Sequence, residues 1–260
     1  MRFFFLSWRM VLMFVLLASG ARAQASTQPV ELVVSAAASL KDVMTVIGRD
    51  YQKQQPGVRL RFNFGSSGAL QRQIENGAPV DLFIAAADKN MDELAAANFI
   101  EKKTRRVLAE NLLVLIVAKN SRSPMARFKD VVSPAVTHIA VGGPSVPAGM
   151  RAQEVFSRLG IWPQVQRKAV RGKDVREVLT QVELGNVEAG VVYRTDAAVS
   201  QKVRVAAVAP PAMHKPIRYP LAVISDSKHL PQARDFANYL VSPHAKSVLK
   251  KYKFIVNNTR

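Results

Sequence analysis

The chain has 260 residues, with 37 Lys and Arg against 19 Asp and Glu, a formal net charge of +18 at pH 7, and no Cys. With 48% apolar residues it can bury a core, which excludes general disorder, and its length allows one large or two small domains. Apolar residues are dispersed after about residue 21, which excludes a polytopic membrane protein, and the lack of Cys excludes a disulfide framework, thiol catalysis and Cys-ligated metal centres.

The N-terminus predicts export. Arg2 supplies a basic start, Arg9 precedes an uninterrupted apolar run from Met10 to Ala18, and Ala21-Arg22-Ala23 has the small-x-small form of a cleavage site, with Ala23-Gln24-Ala25 as a second frame. Such a segment reads as a secretory signal peptide over residues 1–23, removed near Ala23 or Ala25, and is too short for a stable membrane span. Arg2, Arg9 and Arg22 and no acidic residue lie in it, so the remainder carries +15. A field of that sign attracts anions. The basic residues are spread along the chain, as solvated faces usually are, and an exported protein rarely meets nucleic acid, so no nucleic-acid partner is expected.

Residues 31–37 predict a strand. Leu40, Val43, Met44, Ile47 and Tyr51 then follow helical spacing. After a turn at Pro56-Gly57, Val58, Leu60, Phe62 and Phe64 alternate with polar residues as in a half-buried strand. A short helix carries Leu70 and Ile74 and ends near Asn76-Gly77. A strand over 80–86 and a helix near 90–98 follow. This β-α alternation implies parallel pairing and an α/β fold. A second series starts after residue 108: a continuous buried strand over 112–118, a short strand over 138–141, a helix from Pro147 to Gly160, a helix through Val175 to Val182 ending at Gly185, and a strand over 187–193. Pro210-Pro211 opens a loop, Tyr219 to Ile224 is a strand, and two helices over 236–240 and 245–252 close the chain.

Small residues and hydroxyls gather where helices begin: Ala36-Ala37-Ala38-Ser39, Gly65-Ser66-Ser67-Gly68, Val146-Pro147-Ala148-Gly149 and Gly172-Lys173-Asp174-Val175. Any one of them is an ordinary helix cap, worth about 1 kcal/mol. Together they suggest more. Small residues admit a ligand to the free N–H groups of a first helical turn, where the helix dipole favours an anion, and in open α/β sheets such loops lie where ligands bind. Other chemistry lacks its signature. The four His (His138, His214, His229, His244) have no metal-ligand spacing, and there is no GxSxG elbow, GxxxxGK[ST] loop or GxGxxG fingerprint.

AAASL at 36–40, GSSGALQRQIENGAPVDLFIAAAD at 65–88, VGGPSVPAG at 141–149, GKDVREVL at 172–179 and GVVYRTDA at 190–197 resemble the periplasmic molybdate-binding proteins of bacterial ABC importers. The likeness extends over about residues 30–255. It implies the two-lobed type II periplasmic binding-protein fold, an α/β architecture in which each lobe is a mixed sheet flanked by helices and the ligand sits in the interlobe cleft. By that analogy one lobe is 26–108 plus 217–260 and the other 109–216. The resemblance further implies a monomeric periplasmic receptor, not an enzyme, that hands molybdate to an inner-membrane permease with its ATPase. No cofactor and no direct cation ligand is implied, since molybdenum arrives as its oxyanion. Carried over position by position, Ser39 and Ser67 donate hydroxyl and backbone N–H, Ala148 and Val175 donate backbone N–H, and Tyr193 donates its phenol. Arg194 stands where the family usually has a small residue.

Those five positions offer donors only. A fully deprotonated tetrahedral dianion accepts only, so it matches such a cage. A protonated phosphate would leave its own O–H unpaired, a mismatch of about 1–3 kcal/mol. Molybdate, tungstate and sulfate therefore remain on chemistry alone; the resemblance selects molybdate, with tungstate beside it, and the alternative is a receptor for another tetrahedral oxyanion such as sulfate, thiosulfate or tungstate.

Overall fold

A computed structural model of the protein describes residues 29–256; the predicted export segment lies outside them. The chain begins with β1 (Val30–Ala37), α1 (Lys41–Gln54), β2 (Val58–Gly65), α2 (Ser67–Glu75), β3 (Leu82–Ile84), α3 (Asp88–Ala96) and β4 (Arg106–Glu110). It continues through β5 (Leu113–Ala118), β6 (Ile139–Gly142), α4 (Pro147–Arg158), α5 (Trp162–Lys168), β7 (Ala169–Gly172), α6 (Val175–Glu183), β8 (Ala189–Tyr193), α7 (Arg194–Val199) and β9 (Val203–Val208). Then it returns with β10 (Arg218–Val223), α8 (Leu230–Leu240) and α9 (Pro243–Lys251).

The strands form two five-stranded sheets, ordered β2-β1-β3-β10-β4 and β7-β6-β8-β5-β9. Each combines a parallel trio with antiparallel strands: β1 pairs parallel with β2 and β3 while β10 runs antiparallel to β3 and β4. Likewise β6 pairs parallel with β7 and β8 while β5 runs antiparallel to β8 and β9. The parallel trios matter for function, because the C-terminal ends of their strands and the helices that follow are where open α/β sheets place ligands.

The period of two along the strands divides the first core. Leu82 and Ile84 pack with Leu32, Val34 and the α1 residues Val43, Met44 and Ile47 on one face. Phe83 and Ala85 pack with Leu70, Ile74, Met91 and Leu94 of α2 and α3 on the other. On the first face Tyr51 of α1 packs at a tilt against Phe236 of α8, ring centres 4.7 Å apart. Burial of each such large side chain contributes about 1.5–3 kcal/mol, so the sheet is sealed on both faces and its ends, not its faces, are left for a ligand. The predicted helix stops at Gly160 and Gly185 both fall at φ +71°, a backbone conformation that glycine adopts without strain.

Three strands absent from the sequence reading, β4, β7 and β9, share a cause. All are edge strands, partly exposed (Val107 in β4 and Val205 and Val208 in β9 are 53%, 42% and 50% exposed). An edge strand covered on one side carries no continuous apolar run. The helices α5 and α7 were also missed; each has fewer than two full apolar periods to detect. The strand predicted over 80–86 is regular only over Leu82–Ile84.

Candidate functional site

Ser39, Ser67, Ala148, Val175 and Tyr193 all line one cavity between the two sheets. Ser39 and Ser67 come from the ends of β1 and β2, Ala148 and Val175 from the helices that follow β6 and β7, and Tyr193 from the end of β8. The space between them is about 10 Å³, about the room of one water molecule and too little for a sugar or peptide.

Each position presents a donor for a distinct local reason. The sequence places Ser39 as the helix N-cap, and the structure corrects this: α1 begins at Lys41, Leu40 holds the cap position without a side-chain bond, and Ser39 lies in a 3-10 turn over Ala38–Leu40. Its hydroxyl, not used for capping, pairs with the Tyr219 hydroxyl at 2.9 Å. In the second loop the cap is Ser66, whose Oγ accepts the Ala69 N–H at 3.4 Å. Ser67 is the first helical residue, and its Oγ accepts the Ala86 N–H at 2.9 Å, which leaves the hydroxyl proton to be donated. Ala148 and Val175 lie in the first turns of α4 and α6, where backbone N–H groups have no intrahelical acceptor.

Tyr193 is 1% exposed and its hydroxyl has no hydrogen-bond partner. Burial, reinforced by the nearby Tyr219 and Asp196, pushes its pKa well above the ordinary phenol range, so it stays a neutral donor. A buried phenol without a partner is costly unless something in the cavity accepts its proton. Asp174 also lines the cavity, but its Oδ1 is held by the Arg176 and Glu177 amides at 2.8 and 3.0 Å as the α6 cap. Arg194 turns away: its Nη2 donates to Lys253 O at 2.9 Å.

Contacts missed by the sequence reading join the two sides beside the cavity. The Gly68 N–H reaches Ser145 O at 3.2 Å across the cleft. Arg176, next to Val175, reaches from the second sheet's side to Asp42 Oδ2 at 2.5 Å and Ser39 O at 3.5 Å. Its Nε lies 2.8 Å from Asp196 Oδ1, yet neither atom makes a directed hydrogen bond, so this is a contact of charges. Burial holds the Asp196 carboxyl up at about 6, opposed by Arg176 and by the hydrogen bond from the Tyr193 N–H. No local pattern announces these pairs, because their members are more than 130 residues apart in the case of Arg176 and Asp42.

A Cβ built on Gly68 would stand 2.7 Å from Ser145 O. Gly68→Ala is therefore expected to hold the halves apart while leaving the first core intact, since alanine is favoured over glycine in a helix by about 1 kcal/mol. Calorimetry should show a ligand affinity reduced by roughly tenfold with an unliganded melting temperature at or above wild type. Unchanged affinity would mean that this contact plays no part in closure.

Comparison with known proteins places these features in context. The family model for bacterial extracellular solute-binding proteins matches residues 32–255. The putative ABC transporter substrate-binding lipoprotein YvgL of Bacillus subtilis is 44% identical, over 93% of this chain and 94% of its own. The molybdate-binding protein ModA of Haemophilus influenzae is 39% identical, over 86% of this chain and 89% of its own. Among solved structures, the substrate-binding domain of a putative molybdenum ABC transporter from Clostridium difficile superposes with a TM-score of 0.68 at 40% identity, over 88% of this chain and 100% of that one.

Proposed function

The chain belongs to the bacterial extracellular solute-binding proteins, and from that membership we infer that it is the substrate-binding protein of a molybdate ABC importer. Its two mixed sheets flanked by helices are those of the type II periplasmic binding proteins. The ligand is the molybdate oxyanion, with no cofactor indicated.

We propose further that Ser39, Ser67, Ala148, Val175 and Tyr193 are the binding residues. The observation that carries this is the buried, unpartnered Tyr193 hydroxyl on a cavity ringed by helix N-termini. Two donors from each Ser and one each from Ala148, Val175 and Tyr193 would surround a dianion. A site of fixed neutral donors binds it through hydrogen bonds and helix dipoles without a buried counter-charge. The same donors suit tungstate. The high positive charge of the surface would speed capture.

The lobes are proposed as 26–108 with 217–260 and 109–216, with the first crossing moved to follow Glu110, because Ala109 and Glu110 pair with Tyr219 and Arg218 in the first sheet. The chain passes twice between the sheets, and the two crossings are bonded to each other, Asn111 N–H to Ile217 O at 3.0 Å and Ala209 N–H to Leu113 O at 2.9 Å. Such a paired crossing is where a hinge would flex. Export by the N-terminal segment, action as a monomer without catalysis, and delivery to a membrane permease with its ATPase complete the proposal.

Thermal unfolding with molybdate, tungstate, sulfate and phosphate at equal concentration tests it. A ligand at about 100 times its Kd adds about 2.7 kcal/mol, which for a chain of this size raises the Tm by about 5–10 °C. Molybdate and tungstate are expected to do so, and sulfate and phosphate not. A sulfate shift of equal size would make this a general oxyanion receptor, and no shift with any anion would refute the site.

A further inference from the structure

We propose that Asn111 and Tyr219 fix the direction of the Ser39 hydroxyl, and thereby set the preference of the site for fully deprotonated oxyanions. The inference rests on the binding residues proposed above. It begins at the Leu112 amide, which can only donate, and which donates to Asn111 Oδ1 at 2.9 Å. That contact orients the side-chain amide. The Asn111 NH2 then faces Thr195 Oγ1 at 2.9 Å and the Tyr219 hydroxyl at 3.1 Å.

An NH2 group donates only, so the Tyr219 oxygen accepts from it. The phenol has one proton, and its remaining polar neighbour is Ser39 Oγ at 2.9 Å. If Ser39 donated instead, the Tyr219 proton would be stranded in a wholly buried site: Tyr219 is 0% exposed, Asn111 4% and Thr195 2%. Buried donors are rarely left so. Tyr219 therefore donates to Ser39 Oγ, and the Ser39 proton is the one left for the cavity that Ser39 lines. The one-way run from Asn111 through Tyr219 to Ser39 makes Ser39 a donor and denies the cavity an acceptor at this position. Tyr219 and Asn111 are positioning residues; neither lines the cavity.

Asn111→Asp reverses the run with little change of shape. One carboxylate oxygen still accepts the Leu112 N–H, and the other accepts the Tyr219 proton. Tyr219 then accepts from Ser39, and Ser39 turns a lone pair to the cavity, where the P–OH of hydrogen phosphate finds an acceptor. The added charge weakens both dianions, so the readout is the ratio of affinities for molybdate and inorganic phosphate, measured by calorimetry at pH 7.5. Tyr219→Phe frees the Ser39 hydroxyl without adding charge.

Wild type is expected to bind molybdate and reject phosphate. In Asn111→Asp the molybdate-to-phosphate ratio should fall by at least about tenfold, and in Tyr219→Phe by a smaller factor, about threefold or more. A ratio equal to wild type in the folded variants, judged by a cooperative melt, would overturn the inference; should Asn111→Asp not fold, Tyr219→Phe decides alone. A wild-type protein that bound no oxyanion would overturn the binding-site reading together with this inference, whereas wild-type binding with unaltered preference would overturn this inference only.

Discussion

Replacing Ser39 and Ser67 together by alanine is expected to lower molybdate affinity by about 10²–10⁴-fold. Hydrogen bonds to a charged group contribute about 1.5–3 kcal/mol each, and two of them correspond to this range at about 1.4 kcal/mol per decade. The two hydroxyls stand on the turns that follow different strands of the first sheet, β1 and β2, and are held differently, Ser39 by Tyr219 and Ser67 by the Ala86 amide. Both would bind the same anion, so the loss in the double variant departs from the sum of the single losses by about 0.5–3 kcal/mol. Ser67→Ala also leaves the buried Ala86 N–H without its acceptor, so some stability is lost along with affinity, about 1–3 kcal/mol. Ser66→Ala separates the two effects. Ser66 caps α2 through Ala69, and its loss should cost about 1 kcal/mol of stability with the affinity nearly intact. Calorimetric titration of the three variants, each with its unliganded Tm, provides the check. Wild-type affinity in the double variant would remove both Ser from the site.

Gly149→Ala is expected to destabilise the protein by roughly 3 kcal/mol or more, the range of a severe steric change in a packed core. A Cβ on Gly149 would stand 2.2 Å from Gly142 O and 2.6 Å from its carbonyl carbon. Both are backbone atoms, so no rotamer change relieves the clash, and the first turn of α4 must move off the end of β6. That turn carries Ala148, so the variant that remains folded should also bind molybdate more weakly. The Tm should fall by about 6 °C or more for a chain of this length. A Tm within about 2 °C of wild type, on the same scale, would show that α4 can slide along the sheet at little cost. The same close packing explains the sequence pattern: VPAG needs its glycine so that the helix N-terminus can be brought against the strand end, not to make a turn.

The positions of the helix starts could be read from the chain because each is a local event. Pro147 and Asp174 mark first turns by their own chemistry, and the β-α alternation predicts that such turns gather at one end of a sheet. The local reading does not decide where two residues compete for one role. Ser66 and Ser67 are adjacent, chemically identical and both on the cavity wall; the Ala69 amide on Ser66 Oγ and the Ala86 amide on Ser67 Oγ distinguish the cap from its neighbour. Ser39 resembles a cap, but the chain first makes a 3-10 turn, which moves the helix start to Lys41 and leaves the hydroxyl to Tyr219.

The sequence by itself determined the α/β class and the two-series organisation, since hydrophobic period, turn residues and helix-start residues act over a few neighbours along the chain; the five donor positions came from the resemblance to a family. Only the tertiary structure decided what surrounds those donors. Tyr219 meets Ser39 across 180 residues, and Asn111 meets Tyr219 across 108. Arg176 meets Asp42 across 134. The direction of a hydroxyl, the burial that keeps Tyr193 neutral and the fit of Gly68 against Ser145 are properties of groups brought together by the packing of two sheets, and no spacing along the chain encodes them.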